Sequence, residues 1–477
     1  MSPAARAGIA LTLMIGFYLL ALGIGGGLLA LAWFGFTLKS AGGAKLMMGA
    51  GLAGLVVLAS LRPRREPFEP PGPAITNATE PALFEVLDDV ARATKQELPH
   101  EVFVAGDVNA AVLNRGGVLG LGGDRVMILG LPLLHALTVD QFKAVLAHEF
   151  GHYGGGDTRI GRVVYHTRAS LGRTLAAVEG QWLEMFFERY GKMVMRISMA
   201  VSRHQEFEAD LFAARATSRG DMIDSLRTID RVARHFSLYL GVHVLPVFEA
   251  GYRPRIGRGF TAYCALLASV PHRPLGDSRV DPAERLYDSH PPTSARVAAL
   301  EALPPDAPRV ADRRLVADLL RDADRFEREL YQFTPGSGHN LNAIEWADVT
   351  ERVMVPRWRA TVASERKVLQ GVRLEALPSS PAEVAKAGKI DLRSKMMDEP
   401  EVVGRTLHSI AAGVMLRFID AGWRPAPNGD RVGDLVRDGE TIQPMRRVYD
   451  IAFGETSPAE WTAFCQRTGM TGPLVEP

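Results

Sequence analysis

The sequence predicts an α+β chain, mostly helical, in three parts: an apolar two-helix hairpin at residues 1–66, a domain with a small β-sheet at 67–300, and a helical C-terminal region at 301–477. Three observations predict it. Two apolar runs open the chain, joined by a short connection. Short β-like runs between residues 101 and 129 lie among segments of helical periodicity. Beyond about residue 300, helical patterns alternate with Pro and Gly breaks, without a repeat or a low-complexity tract.

No charged residue occurs from Gly8 to Leu38. A helix crosses the hydrocarbon core with about 20 apolar residues, so this run is long enough to span with some tilt. The second run, Leu46 to Leu61, reaches spanning length when extended back to Ala41, with Lys45 near its end, where the stem can snorkel. Transmembrane helices are therefore expected over about 8–38 and 41–61. A cleaved signal peptide is the competing reading, but its apolar region usually has only about 7–15 residues. Arg6, Arg62, Arg64 and Arg65 flank the outer ends, while Lys39 and Lys45 occupy the connection. The positive-inside rule then places both ends and the following domain in the cytoplasm. An integral membrane protein is expected, of the inner or plasma membrane if the source is bacterial.

Lys and Arg total 55 against 54 Asp and Glu, so no global basic field points to nucleic acid as a partner. Cys264 and Cys465 are the two cysteines and form no CxxC pair. Any metal site must therefore be built from His and carboxylates.

Pro63 to Pro73 reads as an extended linker. A helix follows with Leu83, Phe84, Val86, Leu87 and Val90 toward a core. Strands are expected at Glu101–Ala105, Asn109–Leu113 and Arg125–Leu129. The glycine-rich stretch Gly116–Gly123 lacks the Lys-Ser/Thr ending of a P-loop and reads better as hairpin turn residues. Thr138 followed by Gln141 has capping-box spacing and opens a helix through Tyr153, which Gly154 to Gly156 stop. A second long helix runs from about Trp182 to Ala216. Its charges argue against a further span; its apolar stripe of Phe186, Phe187, Met193 and Ile197 suits a core or the bilayer surface.

His148-Glu149-Phe150-Gly151-His152 is an H-E-x-x-H sequence inside the first of those helices. Residues four apart share a helix face, so both imidazoles can bind one ion, with Glu149 beside them as a base. Alone, the motif could equally be two helical histidines around a surface Glu. A catalytic zinc takes three protein ligands and keeps one position open. On the later helix Glu206 can be the third ligand, and Asp210, one turn on, can accept an N–H from a ligand imidazole. A solvated acidic helix face is the plain alternative for that run.

With Arg203-x-x-Glu206-Phe207-x-Ala209-Asp210 after His148-Glu149-x-x-His152, and Asp157 between them, the chain resembles the M48 family of integral-membrane zinc peptidases. That family includes the HtpX-type quality-control proteases and the CAAX prenyl proteases. The resemblance covers roughly residues 80 to 300. It implies a zincin-like metallopeptidase domain holding one Zn2+ per chain through His148, His152 and Glu206. It implies Glu149, His290 and Asp210 as catalytic residues, with His290 as transition-state donor. It also implies Asn109 and Ala110, on an edge strand, and Arg296, in an H-P-P…R segment, as substrate-side residues. The expected activity is a membrane-anchored zinc metalloendopeptidase acting on membrane or membrane-associated proteins, with protein substrates and the lipid bilayer as partners. Two alternatives stay open: a non-catalytic, membrane-tethered zinc-binding scaffold, and a zinc hydrolase of a non-peptide substrate. The substrate, the subfamily, the oligomeric state and the role of residues 301–477 are not legible.

Overall fold

The opening apolar runs fold as α1 (Pro3–Thr37) and α2 (Ala41–Ser60). The structure, a computed structural model, describes residues 3–37, 41–62, 68–115, 124–154, 158–180, 183–268, 290–333, 341–388, 399–426 and 433–476. Glycines set the α1–α2 approach: a Cβ on Gly54 would lie 2.8 Å from the carbonyl oxygen of Gly25. Small residues thus let the two backbones approach closely. Elsewhere α1 turns apolar bulk outward, with Leu19 65% and Trp33 72% exposed. Leu11–Thr37 is long and apolar enough to cross a membrane, and Met47–Ser60 is a shorter apolar helix. Lys39, Arg64 and Arg65 and the side chains of Arg6 and Lys45, which carried the orientation argument, lie outside the described residues, as do Gly116–Gly123 and Asp157.

Two helices that follow the H-E-x-x-H segment, α6 (Thr158–Val178) and α7 (Glu184–Ala216), stack on the hairpin. Phe17 and Val57 share a buried cluster with Leu171, Val178, Phe187 and Val194. Tyr190 donates its hydroxyl to the carbonyl of Leu13 at 2.6 Å. Gly16 makes this possible, because a Cβ there would lie 2.7 Å from the Tyr190 oxygen. A polar seam runs beside the apolar cluster: Ser60 meets Thr174 at 2.8 Å, and Arg168 donates to Ser198 at 3.0 Å. The expected stripe on α7 is therefore divided. Phe187 is wholly buried and Ile197 packs beside Met14, whereas Phe186 and Met193 stay 46% and 41% exposed.

The sheet comprises β1 (Ala74–Ile75), β2 (Glu101–Ala105), β3 (Ala110–Arg115) and β4 (Asp124–Gly130), in the order β1-β2-β4-β3. β2 and β4 are parallel, and β3 lies antiparallel to β4 at the edge. All three strands expected from the sequence are present, within one or two residues at their ends. α3 (Pro81–Thr94) buries Leu83, Val86, Leu87 and Val90, leaving Phe84 half-buried. After the short α4 (Leu131–Leu134), α5 (Val139–Gly154) packs against α3, β3 and α7. Its start is the expected capping box: Thr138 N–H donates to Gln141 Oε1 at 3.0 Å, and Gln141 N–H donates to Thr138 Oγ1 at 3.3 Å.

The chain forms two units, residues 1–234 with 271–334, and residues 235–270 with 335–477. The helix α8 (Arg219–Tyr239) ends in Phe236 and Tyr239, whose rings pack with Phe260 and Trp346, and this draws residues 235–270 into the second unit. That unit holds a short parallel pair, β5 (Tyr252–Arg253) with β6 (Asn342–Ala343). It also holds an antiparallel sheet of β7 (Arg424–Pro425), β8 (Leu435–Arg437) and β9 (Glu440–Ile442). Its helix Glu399–Asp420 contains a stretch apolar enough to cross a membrane, but 61% of that stretch is buried, as in a core helix.

Candidate metal centre

Two helices bring the candidate metal ligands together. α5 supplies His148, Glu149 and His152, and α7 supplies Glu206 and Asp210. Small residues inside the motifs allow the approach: a Cβ on Gly151 would lie 3.3 Å from Ala209 Cα. His148 Nε2 and His152 Nε2 stand 3.2 Å apart, and Glu206 oxygens lie 3.6 Å from the first and 3.5 Å from the second. Among the described residues, this is the one His/Cys/Asp/Glu group whose ligand atoms all fall within 4.8 Å of one another.

The spacing fits a tetrahedral zinc. Bonds of about 2.0–2.2 Å place neighbouring ligand atoms about 3.3–3.5 Å apart. The chemistry fits as well. His148 Nδ1 lies 3.0 Å from Asp210 Oδ1, so an N–H kept on that side would leave the Nε2 lone pair to a cation held beside His152 and Glu206. Two imidazole nitrogens and a carboxylate converge there, a donor set that could hold a metal ion.

Around these ligands a second layer fixes the carboxylates. Arg296 donates to both Asp210 oxygens, at 2.8 and 2.6 Å, and its third nitrogen lies 3.3 Å from Glu206 Oε2. Its side chain is only 11% exposed, so the sequence-predicted Arg296 is committed to carboxylates behind the ligands rather than turned toward solvent. His290 Nδ1 lies 3.0 Å from Glu206 Oε2, yet its side chain is 62% exposed, which leaves the ring accessible from outside.

The electrostatics follow from burial and these pairings. Burial opposes charge on His148, but hydrogen bonds to Asp210 and Glu206 outweigh it and raise the pKa to about 9. Burial, then the neighbouring His148, lowers His152 to about 4. For Glu206, burial raises the pKa, but hydrogen bonds from His148 and His290 prevail and hold it well below the usual carboxylate range. Asp210 is lowered by Arg296 and His148 against a burial penalty. Burial above all raises Glu149, a direction suited to a group that accepts and returns a proton.

Glu149 has one partner that no side-chain pattern announced: the backbone of Val112, in the middle of β3, hydrogen-bonds its carboxylate. The edge strand therefore borders Glu149. Asn109 is exposed immediately before β3, its carbonyl accepting from Gly130 N–H at 2.7 Å, and Ala110 is the first residue of the strand. The Val112 contact is made by backbone and could not be found from residue types.

Comparison with known proteins agrees with this geometry. The pattern of peptidase family M48 matches residues 77–303. The chain is 30% identical over 174 residues to Protease HtpX of Vibrio parahaemolyticus, covering 32% of this chain and 59% of that protein. It is 24% identical over 281 residues to Protease HtpX of Chromohalobacter salexigens, covering 53% of this chain and 82% of the relative. A Protease HtpX homolog of Archaeoglobus fulgidus is 24% identical over 239 residues, 46% of this chain and 67% of that protein. The chain thus spans under two thirds of the length of the Vibrio relative. No solved structure matches it.

Proposed function

We propose, from the premise that residues 77–303 belong to peptidase family M48, that the chain is a membrane-anchored zinc metalloendopeptidase acting on membrane or membrane-associated proteins. The single observation that carries this is the convergence of His148, His152 and Glu206 within 4.8 Å beside Glu149. A zinc ion bound there would polarise the scissile carbonyl and make water nucleophilic at neutral pH. Glu149, in its raised-pKa pocket, takes the proton of the attacking water and returns it to the leaving amine. His290, partly exposed beside Glu206, donates to the oxygen on which negative charge develops. Arg296 and Asp210 hold His148 and Glu206 in place. The open edge of β3 pairs with the substrate backbone, so that affinity comes with little sequence preference. The apolar hairpin supports anchoring, and lipid-embedded or juxtamembrane chains are then the polypeptides nearest the cleft.

Glu149→Gln tests the reading. The variant should bind zinc as the wild type does and lose casein hydrolysis by at least about 100-fold. Hydrolysis at the wild-type rate, or hydrolysis indifferent to a chelator, would remove the assignment.

A further inference from the structure

The second unit contains a cleft of ≈ 540 Å³ that plays no part in the metal chemistry. The cleft is lined by β9, the edge strand of its sheet, and by residues of the helices Pro444–Ala452 and Pro458–Thr468. Trp461 and Phe464 supply the floor, their rings stacked 5.7 Å apart. Trp461 is buried and donates to the carbonyl of Leu374 at 2.7 Å, so the floor is fixed by the core beneath it.

The strand wall indicates what the cleft takes. Asp438 and Gly439 both have positive φ, +53° and +81°, and make a two-residue hairpin turn in which Arg437 pairs with Glu440. In an antiparallel ladder, hydrogen-bonded and non-hydrogen-bonded pairs alternate. The pair next to the turn is hydrogen-bonded, so Thr441, which lines the cleft, falls on a non-bonded pair and turns its N–H and C=O to the open edge of the sheet. A small anion is poorly matched to this cleft, because its arginines are already engaged. Arg446 lies 3.5 Å from Asp450, Arg467 lies 3.2 Å from Glu440, and Arg447 donates to Thr456 at 3.0 Å. An open strand edge, an aromatic floor and walls bearing both charge signs are complementary to an extended polypeptide.

We propose that this cleft is a second polypeptide-binding site, distinct from the metal centre, in which an extended segment of a substrate protein pairs with β9 at Thr441 and lays side chains on Trp461 and Phe464. The proposal rests on the reading of the chain as a peptidase, which makes unfolded protein its cargo. It is a β-augmentation mode, with backbone bonds for affinity and the aromatic floor for retention.

The test uses full-length Glu149→Gln protein in detergent, with a benzophenone amino acid in place of Glu460 and fluorescent unfolded casein as probe. Irradiation should cross-link casein at residue 460, and excess unlabelled casein, but not inorganic phosphate, should suppress the product. Thr441→Pro removes the edge donor and should lower the yield about fivefold to tenfold, the worth of a lost backbone hydrogen bond. Gln443→Trp, which fills the cleft and gives up the Gln443 Nε2 bond to Asp434 at 3.0 Å, should do the same if the proline variant does not fold. In the wild-type background both variants should cleave a short peptide at the unaltered rate. No cross-link, suppression by phosphate, or undiminished yield in a folded variant would overturn the site. Because the binding readout needs no hydrolysis, it is independent of the metal-centre test: loss of zinc or of cleavage would sink the peptidase reading and leave the cross-link standing.

Discussion

Asp210→Asn is the perturbation that separates an organised metal site from a chance cluster. The substitution keeps the shape and removes the charge that holds Arg296 at 2.8 and 2.6 Å and faces His148 Nδ1 at 3.0 Å. Breaking a buried ion pair by removing one partner costs about 3–5 kcal/mol. Glu206 remains 3.3 Å from Arg296 as a partial partner, so the lower end, about 3 kcal/mol of apoprotein stability, is expected. Metal affinity should fall separately, because an outer partner of a ligand histidine is worth about 10–100-fold, or about 1.4–2.7 kcal/mol. Denaturant unfolding of the apoprotein gives the first quantity, and zinc competition against a chromophoric chelator gives the second. Adding Arg296→Gln to Asp210→Asn should recover part of the stability, with a coupling of at least about 1 kcal/mol in the double-mutant cycle. Zinc affinity within about twofold of wild type, together with additive stability effects, would refute the claim that this pair organises the site.

Other expectations follow from the same contacts. Gly130 has ordinary backbone angles but no space: a Cβ would lie 2.2 Å from the Asp107 carbonyl and 2.6 Å from that of Asn109. Gly130→Ala should therefore cost about 1–3 kcal/mol and displace the start of β3, seen as reduced casein cleavage with zinc retained; unchanged cleavage and stability would count against β3 as the substrate edge. Gly16→Leu should expel the Tyr190 hydroxyl from the Leu13 carbonyl and loosen α7 from α1, read as a lower unfolding midpoint in detergent, and an unmoved midpoint would contradict that packing. Burial lowers His135 from 6.5 to about 4. The folded state keeps this ring neutral while the unfolded chain protonates, so its contribution is full above pH 6.5 and is lost as pH falls from 6.5 toward 4. The loss amounts to about 3 kcal/mol, and His135→Leu should flatten the pH dependence of unfolding by roughly that amount, whereas parallel curves would refute it.

What the sequence disclosed, and what it hid, divides along the range of the interactions. His148, Glu149 and His152 lie within one helical turn and a quarter, and the Thr138–Gln141 box shows locally that the turn is helical. β2, β3 and β4 were legible from alternation and from the residues that interrupt it. The engagement of α6 and α7 with the hairpin was not, because the charges on α7 occupy its outward face and mask the few positions, Phe187 and Tyr190 above all, that meet α1. The joining of residues 235–270 to a distant C-terminal segment was equally hidden. It rests on ring contacts between Tyr239 and Trp346, and no local periodicity encodes a contact at that separation. Arg296 was visible as a residue of interest, but its direction was not, since only the fold places it behind Glu206 and Asp210 rather than before them.

The two scales meet in α7. It is one uninterrupted helix from Glu184 to Ala216, with Tyr190 bonded to α1 near one end and Glu206 facing the α5 histidines near the other. At 1.5 Å per residue these points are about 24 Å apart along a single hydrogen-bonded rod. A shift of α7 along its axis at the hairpin would move Glu206 by the same distance, and separations of 3.5 and 3.6 Å to the two imidazoles leave little room for that. The glycine at position 16, which no chemical motif singles out, therefore bears on the third member of the His148–His152–Glu206 cluster: it lets Tyr190 seat against α1, on the same rod that carries Glu206.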